Sequence, residues 1–70
     1  MNVFFIEVTD LINKKSMLIR GDLIFNISEY ERNVNNEQVR MITFVDGQVE
    51  YVLDTMNDLI RELRKFGVIH

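Results

Sequence analysis

Along Val3 to Thr9 the residues sort onto two faces, Phe4, Ile6 and Val8 against Val3, Phe5, Glu7 and Thr9. The aromatic and β-branched content of this run predicts a first strand. Both faces are apolar at its start, which fits a strand covered on two sides. Asp10 to Lys15 predicts a connection, with Asn13-Lys14-Lys15 as its turn and Leu11 and Ile12 holding it down. Ser16 to Arg20 is a short second strand, which Gly21-Asp22 interrupts. A glycine within β-type sequence marks a bulge or bend, so a third strand begins at Leu23. On that strand Leu23, Phe25 and Ile27 form the expected core-facing set, opposite Ile24, Asn26, Ser28 and Tyr30.

Glu31 to Glu37 is polar, holds Asn33, Asn35 and Asn36, and has no period, which predicts a loop and the most mobile part of the chain. From Gln38 to Val45 alternation returns as Val39, Met41, Thr43 and Val45 against Arg40, Ile42 and Phe44. Asp46-Gly47 follows at once and predicts a type I′ hairpin turn into a fifth strand, Gln48 to Leu53. Met56, Leu59, Ile60 and Leu63 then recur at spacings of three and four, which predicts a helix with this stripe on the sheet. Asp54 is placed to cap its start, Arg61, Arg64 and Lys65 suit its carbonyl end, and Gly67 can supply a left-handed stop before Val68-Ile69-His70. The order predicts a mainly β (α+β) fold. It is an antiparallel five-stranded meander, or a small partly closed barrel, with one C-terminal amphipathic helix.

Seventy residues give room for a single domain, 1–70, with one core that buries only about 60% of the unfolded surface. There is no Cys, so disulfides and thiolate metal sites are excluded, and 47% hydrophobic residues with no Pro argue against disorder. Oligomerisation is the remaining way to stabilise so small a core. Eleven acidic against eight basic residues give a net charge of −3, which disfavours nucleic acid as a partner. The opening Met1-Asn2-Val3-Phe4-Phe5-Ile6-Glu7 has no basic segment and its apolar run stops at a carboxylate. It reads as neither a signal peptide nor a membrane span, and a cytoplasmic location without membrane contact is the expectation.

Catalysis needs a nucleophile, base or metal held in a cleft. The chain offers one His, the terminal His70, and carboxylates with local roles: Asp46 in a turn, Asp54 at a cap, Asp58 and Glu62 on a solvated helix face. Glycine-rich phosphate loops and His/Cys metal spacings are absent, so no enzyme activity and no cofactor are expected. Asn26-Ile27-Ser28 matches a glycosylation acceptor but falls inside a strand. Glu7 stands in an apolar strand and is expected to pair with Arg20 or Arg40.

Apolar residues on both sheet faces carry the most functional content. One helix covers one side of a sheet, so either the sheet curls on itself or a second copy covers the other side. Val3, Phe5, Ile24, Ile42 and Phe44 are the candidate self-association residues, which predicts a homodimer acting as a small protein-interaction or regulatory accessory module. The alternative is a small nucleic-acid-binding transcription regulator using Lys14, Lys15, Arg40, Arg61, Arg64 and Lys65.

An opening strand, then Leu18-Ile19-Arg20-Gly21-Asp22-Leu23-Ile24, the Asp46-Gly47 hairpin and a helix near Leu59-Ile60 resemble the short flagellar-operon proteins of the FlbD type over most of the chain. These motifs are apolar and turn-forming, so the resemblance implies an order of elements and no residue-level role. Over roughly the last 50 residues, Asp22-Leu23-Ile24-Phe25-Asn26-Ile27, Asp46-Gly47 with Tyr51, and the Leu-spaced helix running to Phe66 and Ile69-His70 resemble LytTR-type domains. That resemblance implies DNA binding.

Overall fold

A computed structural model describes residues 3–34 and 36–67. The elements are β1 (Phe5–Thr9), β2 (Ser16–Arg20), β3 (Ile24–Glu29), β4 (Arg40–Phe44), β5 (Val49–Val52) and α1 (Met56–Arg64), with a 3-10 turn at Gly21–Leu23 between β2 and β3. All the strand pairs are antiparallel, but they form two ladders, β1-β2 and β3-β4-β5, in place of the expected single meander. The break falls at the 3-10 turn, which diverts the chain so that β2 and β3 do not pair. The ladders are tied elsewhere: Asp10 bridges Val52, Leu11 N–H donates to Tyr51 O at 3.2 Å and Leu53 N–H to Thr9 O at 3.0 Å.

Ile6 and Val8 of β1, Ile19 of β2, Ile42 of β4, Val52 of β5, and Leu59 and Leu63 of α1 form one buried cluster, with Phe4, Met17, Ile24, Ile27 and Phe44 packed against it. The inner faces of both ladders and the apolar stripe of the helix therefore share one core. The alternation in β1 and the helical spacing work as the sequence predicts.

The third strand does not. The register between β3 and β4 shifts between Ile24 and Asn26, a bulge that adds one residue and reverses the alternation around Phe25. Ile24 and Ile27, three apart, consequently both face the core. Leu23 is exposed, and Phe25 is 75% exposed.

Several local contacts also differ from expectation. In the β4–β5 hairpin only Gly47 has positive φ (91°), Gly47 N–H donates to Phe44 O at 2.9 Å, and Phe44 N–H donates to Gln48 O at 2.8 Å. Val45-Asp46-Gly47 is thus a three-residue loop with glycine in the left-handed position, not a two-residue I′ turn. The helix cap is Thr55, whose Oγ1 accepts from Asp58 N–H at 3.1 Å. Asp54 instead accepts Thr9 N–H at 2.5 Å and fixes the start of α1 to the end of β1. Leu11 is half-buried in the β1–β2 connection, but Ile12 is 89% exposed; the turn is held by Asp10 Oδ2, which accepts from Ile12 and Asn13 N–H. Within the expected loop, Val34 and Glu37 exchange backbone hydrogen bonds at 3.0 and 2.9 Å, with Asn36 at φ 64°. Gly67 has φ 73°, a left-handed stop, and Val68, Ile69 and His70 lie outside the described residues.

Candidate interaction surface

Directly paired residues of an antiparallel ladder share a face. The register Phe5↔Arg20, Glu7↔Leu18, Thr9↔Ser16 therefore puts these six on the outer face of β1-β2, while Ile6, Val8, Met17 and Ile19 point inward. On that outer face Phe5 is 49% and Leu18 67% exposed, and Val3, also exposed, precedes β1. The Arg20 guanidinium lies 6.0 Å from the centre of the Phe5 ring. It also donates to Asp22 through Nε at 2.8 Å and Nη2 at 2.6 Å, a two-pronged ion pair. The apolar group therefore has a charged border on one side.

Of the residues expected to cover a partner, Val3 and Phe5 are exposed. Ile42 is fully buried in the chain's own core, and Ile24 and Phe44 pack against it, so these three present no comparable surface. The β3 bulge is the reason, since it turns the Ile24, Ile27 and Ile42 side inward. Leu18 was not expected in this group. Its pairing with Glu7, across a connection centred on Ile12-Asn13, is the signal that places it on the same face as Phe5.

The six basic candidates are scattered. Arg40 is 7% exposed, donates to Gln38 O at 2.8 Å and stands 3.5 Å from the Glu29 carboxylate. Lys14 pairs with Glu37 at 3.1 Å, Arg61 with Asp58 at 3.2 Å and Lys65 with Glu62 at 3.2 Å. Lys15 and Arg64 are exposed with no ion pair among the described residues. Glu7 is exposed and pairs with neither Arg20 nor Arg40, whose partners are Asp22 and Glu29.

Comparison with protein-family models, curated proteins and solved structures finds no match to this chain.

Open grooves also mark the surface of the described residues. One, of about 280 Å³, lies between Arg20–Leu23 and the β4–β5 hairpin, lined by Ile19, Phe44, Val45, Gln48 and Glu50. Another, of about 330 Å³, runs between β3 and α1, where Met56 and Ile60 stop half-buried against Ile24, Phe25 and Ile27. Among the described residues no group of three or more His, Asp or Glu side chains is gathered to hold a metal, and no helix is long and apolar enough to cross a membrane.

The Arg20–Asp22 pair has a titration consequence. Hydrogen bonds from Arg20, reinforced by backbone N–H groups, hold the Asp22 carboxyl down at about 2. A carboxyl lowered on folding stabilises the fold above its unfolded value of 3.8, and that contribution is lost as pH falls toward 2. Asp22→Asn is therefore expected to lower the melting temperature at neutral pH and to flatten its fall between those limits. Thermal melts across that range check this; an unchanged acid limb in the variant would show that Asp22 does not contribute.

Proposed function

We propose that this chain is a non-catalytic interaction or regulatory accessory module of the cytoplasm, and that it self-associates through the β1-β2 ladder, by its outer face or its edge strand. The observation that carries the reading is the exposed group of Val3, Phe5 and Leu18 beside a two-stranded ladder. A ladder of two strands is marginal by itself, and apolar surface returns about 25 cal/mol per Å² when covered. A second copy on this ladder serves both needs. Nucleic-acid binding is the weaker reading, because four of its six basic residues are already engaged by carboxylates and Arg40 is buried.

Sedimentation across micromolar to submillimolar concentration is the direct test, with a rising weight-average mass expected. Leu18→Glu should hold the chain monomeric in either arrangement and melt as the wild type does at dilutions where the wild type is monomeric, because the side chain is 67% exposed and faces away from the core, whereas Arg64→Glu should leave association unchanged. A wild-type protein that stays monomeric throughout would sink the proposal.

A further inference from the structure

The β2 strand is an edge: among the described residues it pairs with β1 alone. Asp10 N–H donates to Lys15 O at 3.0 Å and Gly21 N–H to Phe4 O at 2.9 Å, one at each end of the ladder. Antiparallel pairs alternate between bonded and non-bonded. Asp10–Lys15, Val8–Met17, Ile6–Ile19 and Phe4–Gly21 are thus the bonded pairs, and the backbone N–H and C=O of Ser16, Leu18 and Arg20 point away from β1, toward the free edge.

Edge strands are normally blunted by a bulge, a proline or charge. The edge of β3 has its bulge at Phe25 and a carboxylate at Glu29. The edge of β2 is regular in register, has no proline, and its only charge, Arg20, is drawn onto Phe5 and Asp22. Its central outward residue is Leu18, 67% exposed.

We propose that the free edge of β2 pairs antiparallel with β2 of a second copy about a two-fold axis at Leu18. This rests on the self-association reading above and names its register. The sequence Ser16-Met17-Leu18-Ile19-Arg20 is self-complementary in that arrangement. Leu18 meets Leu18, half-buried Met17 meets buried Ile19 on the core side, and the long Arg20 meets the short Ser16, so no like charges face each other. The outward backbone groups of Ser16, Leu18 and Arg20 are the ones this register uses, in reciprocal bonds at the Leu18 pair and at the flanking Ser16–Arg20 pairs. Two marginal ladders become one four-stranded sheet, with Phe5 and Leu18 of both copies continuous on its outer face. The contact is smaller than the roughly 1,200 Å² of a standard stable interface, so the dimer is concentration-dependent.

The chain has no cysteine, so single cysteines report the register cleanly. In the proposed pair the Leu18 Cα atoms are about 5.5 Å apart, within disulfide reach, whereas Glu7 is separated from its equivalent by roughly 14 Å. Under a glutathione redox buffer, Leu18→Cys is expected to become mostly covalent dimer, while Glu7→Cys stays monomeric. Ile12→Cys, in the exposed β1–β2 connection, sets the rate of chance collision. Glu7→Cys linking in preference to Leu18→Cys would mean that the outer faces stack, overturning the edge pairing while self-association stands. Leu18→Cys linking no faster than Ile12→Cys would also overturn the edge pairing. A wild-type chain that sediments as a monomer at every concentration would remove both proposals.

Discussion

Ile42→Ala is expected to destabilise the chain by about 2–5 kcal/mol, the usual cost of truncating a fully buried aliphatic side chain. Ile42 has no exposed surface, is paired with Ile27 on β3, and shares a core with Ile6, Val8, Val52 and Leu59. Its removal opens a cavity at the junction of both ladders and the helix, where the surroundings are tied by the Asp10–Val52 bridge and the Asp54–Thr9 hydrogen bond. A domain this small has a total stability near the lower end of about 5–15 kcal/mol, so a large fraction of the variant should be unfolded at room temperature. Urea titration at two protein concentrations separates core from interface. The fall in midpoint should be the same at both, because Ile42 acts within one chain. A fall present only where the wild type is dimeric would return Ile42 to the interface.

The case of Ile42 shows where alternation stops being informative. In β1 the pattern was legible because the strand is regular, and Ile6 and Val8 are buried as their spacing predicts. In β3 a single added residue at Phe25 reverses the phase, so period-two reading places Ile27 in the core correctly but adds Leu23 and Phe25 where Ile24 packs instead. Nothing local distinguishes the two phases, since apolar residues stand at Leu23, Ile24, Phe25 and Ile27 alike. The helix cap is a second example. Asp54 and Thr55 are both able to cap, and the choice falls to Thr55 because β1 presents Thr9 N–H to the Asp54 carboxylate. The Asp46-Gly47 hairpin was legible in position but not in loop length, which the Phe44–Gln48 register sets. The exposed surface was legible in part: Val3 and Phe5 follow from β1 itself, whereas Leu18 needs the β1-β2 register and Ile42 needs the bulge.

Gly21 is the position where the sequence signal and its physical cause differ most, and Gly21→Ala is expected to cost about 1–3 kcal/mol. Its φ is not positive, so a glycine is not demanded by backbone conformation, and at an unstrained site the exchange would stabilise by about 0.4–1 kcal/mol through the unfolded chain. The sign is decided by space. A Cβ at Gly21 would stand 2.2 Å from Phe4 Cε2 and under 3.0 Å from Cδ2 and Cζ. The ring has little freedom to withdraw, because it stacks on Phe66 with centroids 4.5 Å apart and planes 17° from parallel. The backbone is equally constrained, since Gly21 N–H donates to Phe4 O at 2.9 Å. An alanine therefore displaces the ring and breaks the stack that joins β1 to the end of α1, or stretches that hydrogen bond at the point where β2 enters the 3-10 turn. A double-mutant cycle with Phe4→Ala isolates the cause. Phe4→Ala alone should destabilise, and in its background Gly21→Ala should lose most of its cost, because the ring it meets is gone. Chemical denaturation of the four proteins gives the coupling directly. A Gly21→Ala variant as stable as the wild type, or a cost that persists undiminished without the Phe4 ring, would show that the glycine is not kept by this contact.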